Sequence, residues 1–281
     1  MIRYPGSKDK IADAIIRRFP DALSIGGIFN EDSLEYREPF FGGGAVGFRV
    51  LDTLSAKNSV WLNDKDFGIS CLWNAVYTEP AELARRVRAF IPSTDHFYRF
   101  REEDAVKDFD ILETAFRKLA LHQMSFSGLG VKAGGPIGGR EQSSAYNVNC
   151  RWNASRLCRD IQARHRQLTR FDRVRITSRD FSELISGAPA HAFIYADPPY
   201  VVKGEQLYKH PMTEADHQRL GALLQQTAAR WVLSYDDHEL VHQLYGEWAC
   251  IENVELTYTT ARTVGARRKN SEVIVSRRAA A

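Results

Sequence analysis

Residues 192–200 read AFIYADPPY, and the fold prediction for the whole chain starts from this stretch. Its apolar beginning predicts a buried strand that runs directly into Asp197. Two consecutive prolines end the strand and stiffen the turn, because each fixes φ and lacks an N–H. Ligands of open α/β sheets bind just beyond the carboxyl ends of strands, so we expect a site at this turn.

The turn offers hydrogen-bond acceptors and an aromatic ring. The Asp197 carboxylate and the Pro198 carbonyl are held in place and would accept hydrogen bonds from an amino group. An exocyclic amino group such as N6 of adenine has two N–H donors, and Tyr200 could stack on its ring. The alternative is a capped strand end with an incidental tyrosine.

The composition is that of an ordinary globular protein. The 281 residues are 44% hydrophobic and 26% charged, with a formal charge of +3. No apolar run approaches the ~20 residues that span a bilayer, and no signal-peptide core is present, so we expect a cytoplasmic protein. The four cysteines form no C-x-x-C pair, which argues against a zinc knuckle and a disulfide framework.

Basic residues are clustered, which suits binding to a polyanion. The cluster over 85–88 is better explained as a solvated helix surface. A second cluster lies over 164–166. The third is a loop that contains Arg262, Arg267, Arg268 and Lys269.

Two earlier segments predict strands that end at polar or glycine turns. The first leads into Gly42-Gly43-Gly44 and a helix over 45–54, which is typical of the first unit of a nucleotide-binding α/β fold. The second, over 59–62, ends in Asn63-Asp64, where an acid commonly accepts ribose hydroxyls. The glycine spacing matches neither G-x-G-x-x-G nor a Walker motif, which disfavours a dinucleotide or a triphosphate.

The segment 3–8, RYPGSK, predicts a polar turn before an amphipathic helix over about 9–19. Its glycine turn and Lys8 form a candidate anion-binding corner. After the second strand the α/β alternation stops. Residues 66–152 contain predicted helices over 80–90 and 110–122 and a glycine-rich loop or hairpin over 125–139, so we expect an inserted domain.

Beyond this insert the α/β alternation returns. A helix over 154–168 with Asn153 as N-cap precedes a strand over 174–177 and the pair Asp180-Phe181. Thr213 and Asp216 predict a capping box at the start of the next helix. The remaining predicted elements are a strand over 231–235, a short helix over 239–245 and an antiparallel pair over 254–258 and 273–276.

The stretch 238–242, HELVH, matches the H-E-x-x-H pattern of zinc proteases. Asp236 and Asp237 before it are typical helix caps, and no further ligand follows in a recognisable pattern. We therefore expect no metal site there.

Four motifs, taken in order, resemble those of the Dam-like DNA adenine-N6 methyltransferases (D12 class, alpha type). They are RYPGSK (3–8), EPFFGGG (38–44), ND (63–64) and DPPY (197–200). The resemblance implies an α/β protein with a Rossmann-like, S-adenosylmethionine-dependent methyltransferase fold and a mixed seven-stranded sheet. It divides the chain into a catalytic domain, 1–65 and 153–281, and a mainly helical target-recognition domain, 66–152.

The implied reaction is site-specific methylation of N6 of an adenine flipped out of double-stranded DNA, with S-adenosylmethionine as cofactor. No metal and no membrane are involved. A cognate restriction endonuclease is a candidate partner in the cell, and the implied location is the cytoplasm of a bacterium, associated with the nucleoid or encoded by a phage.

The resemblance also assigns residues to roles. The catalytic turn would be Asp197, Pro198, Pro199 and Tyr200. Cofactor contacts would come from Tyr4, Lys8, Glu38, Pro39, Phe40, Phe41, Gly42, Gly44, Asp64, Asp180, Phe181 and Asp197. The predicted DNA-binding residues are Arg3, Ser127, Lys132, Arg140, Arg262, Arg267, Arg268 and Lys269.

Several alternatives stay open. A cytosine-N4 or an RNA adenine-N6 methyltransferase would use a similar turn, and a catalytically silent DNA-binding relative would keep the fold. The intact Asp64, Asp197 and Tyr200 argue against the silent relative, and the glycine spacing disfavours a nicotinamide oxidoreductase. The target sequence is open, because after residues 146–148 the chain departs from the hairpin of relatives that read GATC.

Overall fold

The computed structural model describes residues 1–6, 8–9, 11–17, 19, 34–105, 110–255 and 271–278. Within these residues the strands form one seven-stranded sheet. The strands are β1 (Glu35–Glu38), β2 (Ser59–Asn63), β3 (Arg173–Thr177), β4 (Ala192–Ala196), β5 (Arg230–Asp236), β6 (Ala249–Glu255) and β7 (Ser271–Arg277).

The strand order is β3-β2-β1-β4-β5-β7-β6. β1 to β5 are parallel, and β7 pairs antiparallel with both β5 and β6. The mixed seven-stranded sheet implied by the resemblance is therefore confirmed. The chain first builds outward from β1 to β3 and then returns to β4 on the other side of β1, so the topological switch point lies between β1 and β4.

The helices cover the sheet and extend beyond it. They are α1 (Ala12–Ile16), α2 (Gly47–Leu51), α3 (Phe67–Thr78), α4 (Pro80–Ala89), α5 (Thr94–Glu102), α6 (Ile111–Met124), α7 (Ala154–Leu168), α8 (Phe181–Ile185), α9 (Gly204–Leu207), α10 (Glu214–Gln226) and α11 (Glu239–Tyr245). Among the helices that the structure describes, none is both long and apolar enough to span a bilayer.

β4 is buried along its whole length because both faces of the sheet are covered. Phe193 and Tyr195 face a core that includes residues of α3, α6 and α7. Ala192, Ile194 and Ala196 face a second core, which includes residues of α8, α10 and α11. This period-two alternation between two apolar layers explains why the strand reads as a continuous apolar run. It also fixes the position of the turn that follows.

Several predicted elements match the structure. α7 covers the predicted 154–168, and the Asn153 side chain accepts a hydrogen bond from Arg156 N at 2.9 Å. The capping box of α10 is formed by Thr213 and Asp216 as predicted. α4 and α6 lie where helices were predicted over 80–90 and 110–122.

Other predictions were wrong in extent or incomplete. The helix predicted over 45–54 is the shorter α2, and β6 begins at Ala249 rather than at Val254. Helices α3, α5, α8 and α9 were not predicted. α3 is apolar on most sides and therefore lacks a helical stripe. The glycine-rich stretch forms short 3₁₀ turns, and Ser125 pairs with Pro136 in an isolated antiparallel bridge.

Thr213→Ala should lower the free energy of unfolding by about 1 kcal/mol, because it removes the side chain that caps α10. In the structure, Thr213 Oγ1 accepts from Asp216 N at 3.2 Å, and Asp216 Oδ2 accepts from Thr213 N at 3.0 Å. Urea denaturation measures the loss. Thr213→Ser keeps the hydroxyl and should cost much less; an equal loss in both variants would contradict the capping role.

Candidate active site

The turns after β1, β2 and β4 meet at the carboxyl edge of the sheet, around the switch point. Together with the N-terminal segment and residues 208–212 they line an open cavity, whose empty space is about 960 Å³ with open solvent included. The predicted site residues that line it are Tyr4, Lys8, Glu38, Pro39, Phe40, Phe41, Gly42, Gly44, Asp64, Phe181, Asp197 and Pro199. The structure thus brings together motifs that are up to 195 residues apart in the sequence.

Asp197 directly follows β4, and its carboxylate contacts two side chains. Its Oδ1 lies 3.1 Å from Lys8 Nζ and accepts a hydrogen bond from Ser234 Oγ at 2.9 Å. Ser234 is in turn 2.8 Å from the Tyr195 hydroxyl. Burial raises the pKa of Asp197, and the ammonium of Lys8 opposes that rise. The carboxylate is therefore held in a fixed direction on the cavity wall.

Lys8 is almost completely buried and lies at the centre of an ionic cluster. Besides Asp197, its Nζ is 3.2 Å from Glu272 Oε2 and 3.0 Å from the Tyr200 hydroxyl. Tyr200 also donates a hydrogen bond to Glu272 Oε1 at 2.8 Å. Burial lowers the pKa of Lys8, but the two carboxylates outweigh it and raise the pKa well above its usual value. Because its charge is already matched, Lys8 is not a free anion-binding cation in this structure.

Glu272 was missed by the sequence analysis. It is a buried acid near the start of strand β7, directly before the apolar run 273–275. A carboxylate in such a position needs a cation, because burying an unpaired charge is very costly. That need for a cation, together with Lys8 near the other end of the sequence, was the signal that could have connected the two residues.

The glycine turn after β1 packs against the N-terminal segment. A Cβ on Gly42 would lie only 2.7 Å from Tyr4 Cε1, and a Cβ on Gly43 would lie 3.0 Å from Tyr4 Cβ. Gly42 also has φ +48°, which L side chains rarely adopt. The glycines are therefore needed for the close approach of Tyr4, which stacks on His122 of α6 at a centroid distance of 5.7 Å.

Asp64 faces the cavity from the end of β2. Its two carboxylate oxygens accept backbone hydrogen bonds, from Gly42 N at 2.8 Å and from Asp66 N at 2.8 Å. Burial, reinforced by the Asp66 charge, raises the pKa of Asp64 to about 7, although both backbone donors favour the ionised form. This acid is therefore poised to change protonation near neutral pH.

Glu38 is another carboxyl that lines the cavity, and it is almost completely buried. It accepts a hydrogen bond from the Tyr36 hydroxyl at 2.7 Å. Burial raises its pKa well above the usual value, despite the hydrogen bond from Tyr36. The cavity therefore has acidic groups at both Glu38 and Asp64.

An aromatic pair forms the next part of the wall. The rings of Phe40 and Phe181 are 5.5 Å apart, and the guanidinium of Arg219 lies 4.4 Å from the Phe181 centroid. Asp180 does not line the cavity: it caps α8 and pairs with Arg219 at 2.9 Å. Phe181 therefore lines the cavity, whereas the Asp180 side chain caps the N-terminus of α8.

Two residues of the predicted catalytic turn do not line the cavity. Pro198 and Tyr200 are absent from its lining, and Tyr200 is turned toward Lys8 and Glu272. The Tyr200 ring makes an edge contact with Tyr208 at 6.2 Å. Burial raises the pKa of Tyr200, so its hydroxyl stays neutral at physiological pH.

The predicted DNA-binding residues divide into two groups. Arg3 packs against Gly128, and Ser127, Lys132 and Arg140 are exposed on the same glycine-rich segment. Ser127 has φ +54°. The segment also exposes an aromatic ring that the sequence analysis did not single out, Phe126, which is 63% exposed. Arg262, Arg267, Arg268, Lys269 and the motif residue Ser7 lie outside the described residues.

The H-E-x-x-H stretch has another structural role. The His238 side chain caps α11 by accepting from Leu240 N at 3.1 Å, and His242 Nε2 lies 2.8 Å from Asp237 Oδ1. In the part of the chain that the structure describes, no three His, Cys, Asp or Glu side chains are grouped as metal ligands.

The strand order and the position of the cavity define the class of protein. A parallel sheet with an antiparallel seventh strand, and a cavity at its switch point lined by acids and aromatic rings, is an α/β protein of the Rossmann-like methyltransferase class. The sequence model of D12 class N6 adenine-specific DNA methyltransferases matches residues 4–260. The chain therefore belongs to that family, whose description favours adenine over cytosine and DNA over RNA.

Lys8→Met should destabilise the fold by about 3–5 kcal/mol, because it leaves Asp197 and Glu272 buried without their shared cation. Urea denaturation at neutral pH measures the loss. Adding Glu272→Gln to that variant removes one carboxylate and should restore part of the stability. Lys65→Met, at an exposed lysine on the cavity rim, is the control and should cost at most about 1 kcal/mol. Equal losses for the two lysines would contradict the ionic cluster.

Proposed function

We propose that the protein methylates N6 of adenine at specific sites in double-stranded DNA, with S-adenosylmethionine as methyl donor and the target base flipped into the site. The observation that carries the proposal is the arrangement of the cavity. Its acids and aromatic rings lie directly beside the Asp197 turn, so a cofactor and an amino group can be held next to each other. The family match supports the base and the nucleic acid.

The residues present fit this cofactor. Its ribose diol suits the Asp64 carboxylate, its ammonium group suits the buried carboxyl of Glu38, and its adenine suits the apolar rings of Phe40 and Phe181. When bound, S-adenosylmethionine supplies a methyl group activated by a sulfonium.

The catalytic turn would prepare the amino group for transfer. The lone pair of adenine N6 is conjugated with the ring, so the site must localise it and align it. Hydrogen bonds from N6 to the Asp197 carboxylate and the Pro198 carbonyl would do this, while Tyr200 stacks on the flipped base. Lys8 and Ser234 fix the carboxylate that receives these bonds.

Asp197 is also the base placed to accept the proton that N6 releases after methylation. Its raised pKa suits a carboxylate that takes up a proton within a buried site. The proton would then pass to solvent when the base leaves. This role needs the carboxylate and not merely a hydrogen-bond acceptor, so an amide at this position should be a poor substitute.

The DNA would be read by residues 66–152, which we propose as the target-recognition domain, with 1–65 and 153–281 as the catalytic domain. The exposed Lys132 and Arg140 provide positive charge for phosphates. Phe126 presents an exposed ring on a turn beside Ser127, which suits stacking with bases. The basic residues over 262–269 would add phosphate contacts.

Purified protein incubated with S-adenosylmethionine and unmethylated DNA should produce N6-methyladenine, detected by mass spectrometry of the nucleosides. Asp197→Ala should lower the rate by at least about a hundredfold, because it removes the group that orients N6. It should leave DNA affinity largely unchanged. Asp95→Asn, at an exposed acid of α5, is the control. N4-methylcytosine as product would refute the base assignment, and full activity of Asp197→Ala would refute the catalytic turn.

Cofactor affinity should rise between pH 6 and pH 8. With a pKa of about 7, Asp64 is mostly protonated at pH 6 and mostly ionised at pH 8, and only the carboxylate accepts from both ribose hydroxyls. Calorimetry with S-adenosylhomocysteine should show a gain of roughly tenfold across this range. In Asp64→Asn the affinity should be lower and this dependence flat. A dependence that persists unchanged in the variant would sink the assignment.

The raised pKa of Asp64 also makes the free energy of unfolding depend on pH. This dependence is opposite to that of cofactor affinity, because stability falls as pH rises. Because the folded pKa of Asp64 is raised, the folded protein holds a proton that the unfolded chain loses above about pH 4. The contribution of this group to stability is therefore fully present in acid and is lost as pH rises through about 7.

A further inference from the structure

Four side chains of alternating charge connect the cavity with the helices of the insert. Lys209 Nζ lies 2.6 Å from Asp104 Oδ2, and Asp104 Oδ1 lies 3.0 Å from Lys118 Nζ. Lys118 Nζ is in turn 2.6 Å from Asp66 Oδ2. Asp66 follows β2, Asp104 follows α5, Lys118 belongs to α6, and Lys209 lies between α9 and α10. The chain of charges therefore joins four separate segments.

Both ends of this series are at the cavity. Asp66 lines the cavity, and its backbone N–H donates to Asp64, the proposed ribose ligand. At the other end, Lys209 belongs to the segment 208–212, all of which lines the cavity. Tyr208 in this segment contacts Gly6 and makes an edge contact with Tyr200. The position of Lys209 therefore affects the shape of the cavity wall.

The middle of the series belongs to the segment that would face DNA. Lys118 is one helical turn before His122 on α6, and His122 Nδ1 lies 2.8 Å from the carbonyl oxygen of Gly128 and 3.0 Å from that of Arg3. The turn that exposes Phe126 follows directly after α6. A rigid helix thus connects the exposed turn with Lys118, and Asp104 connects Lys118 with Lys209.

The four charges do not contribute equally to folding. The Lys118 side chain is 1% exposed and lies between two buried carboxylates. Its loss would remove the cation that both Asp66 and Asp104 contact. Lys209 is 24% exposed, and without it Asp104 still has Lys118 as partner. Loss of Lys209 should therefore cost less stability than loss of Lys118, which makes Lys209 the better position for testing a role beyond folding.

We propose that Lys209 is a positioning residue whose ion pair with Asp104 makes cofactor binding and DNA binding depend on each other. This proposal rests on the proposed function, because it uses the same cavity and the same insert. When the insert is bound to DNA, the ion pair between Lys209 and Asp104 keeps residues 208–212 in the arrangement that encloses the cofactor. By reciprocity, a bound cofactor would favour the arrangement of the insert that binds DNA.

The test measures this dependence directly. Calorimetry gives the dissociation constant of S-adenosylhomocysteine with and without sheared, unmethylated DNA that the parent protein methylates. The ratio of the two constants is the coupling factor. In the parent protein we expect a factor of at least about five, in the range typical of coupled sites. In Lys209→Met it should fall to near one, while Lys209→Arg, which keeps the charge, should restore it.

Lys203→Met is the matched control, since Lys203 is an exposed lysine in the same connection between β4 and α10. It should keep the coupling factor of the parent, and thermal unfolding of both methionine variants should stay close to the parent. A merely structural role of Lys209 would lower stability or affinity without changing the ratio. A coupling factor near one in the parent, or an unchanged factor in Lys209→Met, would overturn the proposal.

Failure of this proposal is distinguishable from failure of the proposed function. A parent protein that binds no S-adenosylhomocysteine and makes no N6-methyladenine overturns both. If the parent protein makes N6-methyladenine but the coupling factor is unchanged in Lys209→Met, only the role of Lys209 is overturned.

Discussion

The ion pairs of Lys8 are the interaction on which the site depends. A single buried ammonium is shared by Asp197 at the end of β4 and Glu272 in β7, and it also touches the Tyr200 hydroxyl. Desolvating these charges is costly, so the cluster is stable only when all three segments are in place. The ion pairs that offset the cost of desolvation also fix the Asp197 carboxylate at the cavity. The same side chains therefore stabilise the fold and determine the geometry of the candidate site.

The local signals in the sequence were sufficient for much of the fold. The apolar run of β4, the Asn153 cap and the Thr213 capping box are each determined by residues within a few positions, and each was predicted correctly. The motifs also predicted which turns meet at the cavity, because strand ends of a parallel sheet share one edge. Family resemblance supplied the mixed seven-stranded sheet, which no local pattern contains, and the order of the strands was not predicted.

The missed features depend on long-range partners. Glu272 is an acid directly before the apolar run 273–275 of β7, and its significance appears only when Lys8 is placed beside it. Asp180 matched a cofactor-binding position in sequence, yet its carboxylate caps α8 and pairs with Arg219. Helix α3 is buried on most sides, so its sequence has little amphipathic contrast. In each case the tertiary neighbours determine the role and the local sequence does not.

The distance along the chain between the Lys8 partners has a consequence for how the protein matures on the ribosome. Lys8 and Glu272 are 264 positions apart, so the lysine is synthesised long before its carboxylate exists. Contacts of such high sequence separation form late, because the closure of long loops must be paid for first. The parallel strands can assemble while β7 is still missing, but Lys8 then has Asp197 as a carboxylate partner without Glu272. In a nascent chain the parallel strands would therefore pair with one another before the ion pairs of Lys8 are complete.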